Sequence, residues 1–116
     1  MKKNVYRVVN RALRDAKAKG VKIVDQDWSI TESLDTGRYY LSNGCGCPMA
    51  CLLAGKKVGL SPISAAAKVL SKPKLWVDNF IDGFDGTPAE EVDNLQHKDA
   101  FNFGKRLRAK HVQEQL

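Results

Sequence analysis

The chain changes character at Cys47-Pro48. The stretch from Asn43 to Leu53 holds all three cysteines, and behind the proline run Met49, Ala50, Cys51, Leu52 and Leu53 with no charged side chain among them. Proline has a fixed φ and no N–H to donate, so it suits the first position of a helix. A helix with this apolar sequence has almost no side to turn to water, so other elements must wrap it. The fold must therefore place a short buried helix at its centre, with a basic helix and a polar extended segment before it and further helices after it.

With 116 residues, 43% hydrophobic and 28% charged, the chain suits one domain over 1–116 built around one core. Val5, Val8, Val9, Ala12, Leu13 and Ala16 recur on one helical face, and Arg and Lys fill the other. The spacing predicts a basic helix over 4–19, stopped by Gly20. Val21, Ile23 and Trp28 suit a short strand, but Ser29-Ile30-Thr31-Glu32 has capping-box spacing and could open a helical turn instead. Thr36-Gly37 marks a turn, and Arg38-Tyr39-Tyr40-Leu41 has strand propensity, which makes a small hairpin.

After the Pro48 helix, which should stop near Gly55 or run on weakly to Val58, Ser61 and Pro62 open a helix over Ile63 to Leu70. Ser71-Lys72-Pro73 breaks it. Trp76, Val77, Phe80, Ile81 and Phe84 form the next apolar stripe, which should anchor the core. Thr87-Pro88-Ala89-Glu90 predicts the start of a last helix reaching about His111, with Val92, Leu95, Ala100, Phe103 and Leu107 on its buried side. Gly104 in its interior costs about 1 kcal/mol against Ala, so a close helix contact is expected there. The fold class is mainly α (α+β), with about five helices around one core and a small N-terminal β-hairpin or short strands.

The net charge of +6 is unevenly distributed. Arg7, Arg11, Arg14 and their neighbouring lysines make the start basic, and Asp25, Asp27, Glu32 and Asp35 follow. Lys56, Lys57, Lys68, Lys72 and Lys74 form a second basic block. Asp78, Asp82, Asp85, Glu90, Glu91 and Asp93 answer it, and Lys105, Arg106, Arg108 and Lys110 come last. Either the blocks pack beside one another and cancel, or the basic ones share a face that attracts polyanions. Arg7, Arg11 and Arg14 interrupt any apolar run near the start, and no window is long enough to span a membrane, so the expected location is the cytoplasm, with no membrane partner.

Cys45, Cys47 and Cys51 offer three thiolates. A closed zinc site needs a fourth ligand, which only His97 or His111 could bring from the last helix. A redox role would use Cys47 at a helix N-terminus with Cys51 to resolve it, and a purely structural role is the third reading. Gly44-Cys45-Gly46 lacks the third glycine of a dinucleotide loop, and the aspartates after Asp78 do not follow the calcium-loop pattern. Nothing local supports a Cys-His catalytic pair, so no catalytic residue and no cofactor are assigned.

The segment from Gly55 to Ala65 resembles the middle of a helix-turn-helix, with Gly55, Val58, Gly59 and Ser61 in matching places. In such a motif, spanning 50–70, Ser64, Lys68 and Lys72 would face the groove. Arg7, Arg11, Arg14, Lys56 and Lys57 would contact phosphates. The Cys-Pro turn, Phe80-Ile81-Asp82-Gly83-Phe84-Asp85-Gly86 and Ala100 to Leu107 together loosely resemble small uncharacterised bacterial and phage-borne proteins over roughly half of the chain. That resemblance implies no activity. The expected function is a small non-enzymatic binding protein for nucleic acid, with a protein-interaction module and a thiol or metal sensor as alternatives.

Overall fold

The computed structural model describes residues 4–25, 30–41, 44–59 and 61–112. The elements run α1 (Val5–Ala18), β1 (Lys22–Ile23), β2 (Ile30–Glu32), β3 (Tyr39–Leu41), β4 (Cys45–Gly46), α2 (Pro48–Leu53), α3 (Pro62–Leu70), α4 (Lys74–Phe84) and α5 (Lys98–His111). The protein is mainly α with some β, as expected.

Helix α1 starts at Asn4, whose side-chain oxygen accepts the Arg7 N–H at 3.1 Å, and ends before Gly20 in a left-handed conformation, φ +84°. Its apolar stripe Val5, Val9, Leu13 and Ala16 is buried and packs on α2. All six residues of α2 are buried, as its lack of a polar side requires. The chain enters α2 through β4, which pairs in parallel with β1. The Lys22 N–H donates to Gly44 O at 3.0 Å and the Val24 N–H to Gly46 O at 3.1 Å. The cysteine stretch is thus stitched to the end of α1. β2 and β3 form the antiparallel hairpin, with Thr31 opposite Tyr40. Ile30–Glu32 is therefore strand, not the helical turn that capping-box spacing allowed; Trp28 and Ser29 lie outside the described residues.

The largest contact joins α4 and α5. Trp76, Phe80 and Phe84 stack along α4 with ring centroids 5.9 and 6.4 Å apart, and Phe103 of α5 tilts onto Phe80 at 5.3 Å. Ile81 is only half-buried at the edge of this stripe. The two backbones nearly touch. A Cβ on Gly104 would lie 2.2 Å from Phe80 O, and one on Gly83 would lie 2.1 Å from Phe101 O. The contact expected at Gly104 exists, and its partner is a second glycine.

The last helix starts later than the sequence predicts. Thr87-Pro88-Ala89-Glu90 gives only a 3-10 turn, Ala89–Glu91, with no side-chain cap, and Val92 and Leu95 sit half-buried in an irregular segment. The reason is a distant polar residue. Asn79, buried in α4, donates to Asn94 O at 3.0 Å and accepts the His97 N–H at 2.8 Å. These bonds hold 92–97 across α4 in a path that no continuous helix could follow, so α5 begins at Lys98.

Replacing Gly104 by Ala should destabilise the protein by about 3 kcal/mol or prevent folding, because the added methyl meets rigid backbone and not a flexible side chain. Urea unfolding followed by circular dichroism measures the difference, and an unchanged midpoint would mean that the helices do not approach this closely. Asn79→Ala should cost about 1–2 kcal/mol in the same assay, since it empties a buried polar position and removes both bonds that hold the 94–97 segment.

Candidate functional site

The inward stripe of α1 fixes what its other side presents. At about 100° per residue, Arg7, Arg11 and Arg14 fall opposite Val5, Val9 and Leu13, and all three are exposed. None of them has an ion-pair or side-chain hydrogen-bond partner among the described residues. Among the described residues the one salt bridge is Arg108 with Asp25, and Arg108 also donates to Phe84 O at 3.1 Å. Charge cancellation between blocks is therefore found, among the described residues, at the end of α5.

Helix α5 meets α1 at Tyr6. The Tyr6 ring of α1 meets Phe103 of α5 edge-on, with centroids 4.7 Å apart at 88°, and the Tyr6 hydroxyl donates to Asp99 Oδ2 at 3.3 Å. The same carboxylate oxygen accepts the Trp76 indole N–H at 3.1 Å, so Asp99 ties α1, α4 and α5 together. Burial pulls its pKa up. The bonds from Trp76, the Ala100 amide and Tyr6 outweigh that and hold it below the usual 3.8, so the carboxylate is charged at neutral pH. Burial first, then Asp99, raise the Tyr6 hydroxyl above its usual 10.0, while nearby Arg106 pulls it down. Arg106 lies over the Phe103 ring, 5.8 Å from its centroid, and so stands beside Tyr6. Of the C-terminal basic block, Arg106 thus stands beside α1 at Tyr6, whereas Arg108 is held by Asp25 and Phe84 O.

The other predicted residues are spread over several elements. The link between α2 and α3 covers eight residues, 54–61, where a helix-turn-helix corner uses about three or four. It is also pinned to the hairpin. The Tyr39 N–H donates to Lys56 O at 2.9 Å, the Gly55 N–H to Tyr39 O at 2.8 Å and Arg38 to Gly55 O at 2.8 Å. Lys56 lies by the Asp15 and Lys19 flank of α1, and Lys57 runs over Gly37. Ser64 and Lys68 do share an outward edge of α3, but that helix packs on α2 and α4. Lys72 covers the Trp76 ring at 5.7 Å. Tyr6, Asp99 and Arg106 were missed in the sequence because only the tertiary contact between α1 and α5 brings them together.

The three cysteines form no disulfide, and among the described residues no group of three or more His, Cys, Asp or Glu is arranged to hold a metal ion. Cys45 is half-buried, whereas Cys47 and Cys51 are 3% and 7% exposed. Burial pushes the Cys47 thiol up to about 12 despite the pull of the Met49 and Ala50 amides. Burial, with Cys45 nearby, pushes Cys51 up to about 11. A sensor thiol needs the opposite shift. Elsewhere, Asp78, Asp82, Glu91 and Asp93 line an open groove of about 380 Å³ with Ile63, Leu75, Ile81 and Val92. Burial, and then Asp78, Asp85 and Asp93, raise the Asp82 carboxyl above 3.8. No helix among the described residues is long and apolar enough to cross a membrane. Compared with protein-family models, curated proteins and solved structures, the chain matches none.

In the native protein a thiol reagent should modify Cys45 first and reach Cys47 and Cys51 only as urea unfolds the chain. Equal rates for all three would show that α2 is not a core helix. Between the ordinary thiol value of 9.0 and the raised values of about 11 and about 12, the unfolded chain releases protons that the folded chain retains. Stability should therefore fall as pH rises through that window, by about 1 kcal/mol per pH unit for each thiol. A Cys47→Ala variant should show a shallower fall in urea titrations at a series of alkaline pH values.

Proposed function

We propose that this protein binds nucleic acid, without catalysing a reaction, through phosphate contacts from the joint face of α1 and α5. The observation that carries the reading is the row Arg7, Arg11 and Arg14, exposed and without carboxylate partners among the described residues. Arg108 supplies the contrast, since an arginine serving this fold has an acid and a carbonyl to bond. Guanidinium groups present planar donor forks that match phosphate oxygens. Spaced i, i+4 and i+7, the three cover about 10 Å of helix, a length over which duplex DNA offers one charge per roughly 1.7 Å. Arg106, beside Tyr6, widens the row into a surface.

The test is a fluorescence-anisotropy titration over a series of salt concentrations. Binding should weaken steeply with salt. Arg11→Ala should make the slope of log K against log salt shallower by about 0.7–0.9, one phosphate contact, while Lys68→Ala should leave it near the wild-type value. If no complex forms at about 50 mM salt, with protein above the 10⁻⁴–10⁻⁶ M range of ordinary non-specific binding, the reading is wrong. In that case a protein partner in the acidic and apolar groove between α4 and the 91–94 segment becomes the better account.

A further inference from the structure

We infer that the nucleic acid this face prefers is single-stranded, and that Tyr6 is the residue on which a base stacks; the inference rests on the nucleic-acid reading above. Among the described residues the exposed aromatic rings are Tyr6, 37% exposed, and Tyr40, 49% exposed, and Tyr6 is the one carried by α1, the helix with the arginine row. It precedes Arg7 on α1 and has Arg106 beside it.

The ring is already fixed in place. Its hydroxyl is bonded to Asp99, its ring meets Phe103 edge-on, and its backbone oxygen accepts the Asn10 side-chain amide at 2.9 Å. A held aromatic ring loses little freedom when a ligand covers it, so the stacking energy is not spent on ordering the protein. The Asp99 carboxylate at the hydroxyl edge repels a phosphate from that end of the ring. The exposed ring is then left to a base, with the phosphates on either side of that base meeting Arg7 and Arg106. A duplex cannot supply this contact, because its bases are stacked on one another and present only edges in the grooves. A single strand presents base faces, and aromatic platforms beside basic side chains are how such strands are held without sequence preference.

The experiment compares an end-labelled oligothymidylate, longer than the roughly 4–16 nucleotides such sites cover, with a mixed-sequence duplex of the same length. The proteins are wild type, Tyr6→Phe, Tyr6→Leu, Tyr6→Ala and Arg11→Ala. Wild type should bind the single strand more tightly. Tyr6→Ala and Tyr6→Leu should lose about tenfold or more on the single strand and little on the duplex, in line with base-stacking energies. Tyr6→Phe keeps the ring and should keep most of the affinity. Tyr6→Leu preserves an apolar contact with Phe103, so a loss shared by it and the alanine variant at unchanged melting temperature is not a folding defect. Two results overturn the inference while the broader reading stands: tighter binding to the duplex, or unchanged single-strand affinity in both Tyr6→Leu and Tyr6→Ala when Arg11→Ala weakens it. Absence of wild-type binding to either probe would overturn both.

Discussion

Two glycines facing each other, Gly83 on α4 and Gly104 on α5, set the arrangement on which the remaining contacts depend. With no Cβ on either, the helix backbones come together directly, and the phase of each helix is thereby decided. The α4 ladder Trp76, Phe80 and Phe84 lies against Phe103, and the flank of α5 that carries Asp99, Phe103 and Arg106 turns toward α1. Larger residues at these two positions would separate the helices and break this alignment. The position of Arg106 beside Tyr6 is in this sense a product of a backbone contact in the interior.

Single polar residues then hold what packing alone would leave loose. Asn79 ties down an irregular segment with one side-chain donor and one acceptor, and Asp99 gathers an indole, a hydroxyl and an amide at one helix start. Each is inexpensive to keep because every buried donor it faces is satisfied, and each would be expensive to remove for the same reason. The buried thiols of α2 contribute differently. They fill space as small apolar groups and stay protonated because the interior disfavours their charge.

Much of the fold was legible in local pattern. The stripe of α1, the proline starts of α2 and α3, the aromatic stripe of α4 and the hairpin around Thr36-Gly37 depend on residues near one another in the chain, and the glycine at 104 showed from its place inside a helix pattern that something comes close there, though not that the partner is Gly83. The start of α5 was not, because the signal at Thr87-Pro88 is real but Asn79 overrides it from another helix. The parallel pair β1–β4 has two residues on each side, too short to leave a periodicity. The candidate surface was half legible. Arg7, Arg11 and Arg14 are visible as a row, but their neighbours Tyr6 and Arg106 acquire meaning only when α5 lies beside α1. At the helix-turn-helix likeness, the residues between α2 and α3 bond to β3 and its neighbour Arg38, a contact with a distant strand that local spacing does not reveal.

The Tyr6–Asp99 bond joins positions 93 residues apart, whereas α4 and α5 meet across a short connection. Contacts between near neighbours close with little loss of chain entropy and come early, and distant ones wait for the rest of the chain. As the polypeptide is made, α1 emerges long before α5 exists, with its arginine row in place but Tyr6 unanchored. A nascent or C-terminally truncated chain would therefore carry the positive charge of α1 without the bond from Asp99 and the edge-on contact from Phe103 that anchor Tyr6.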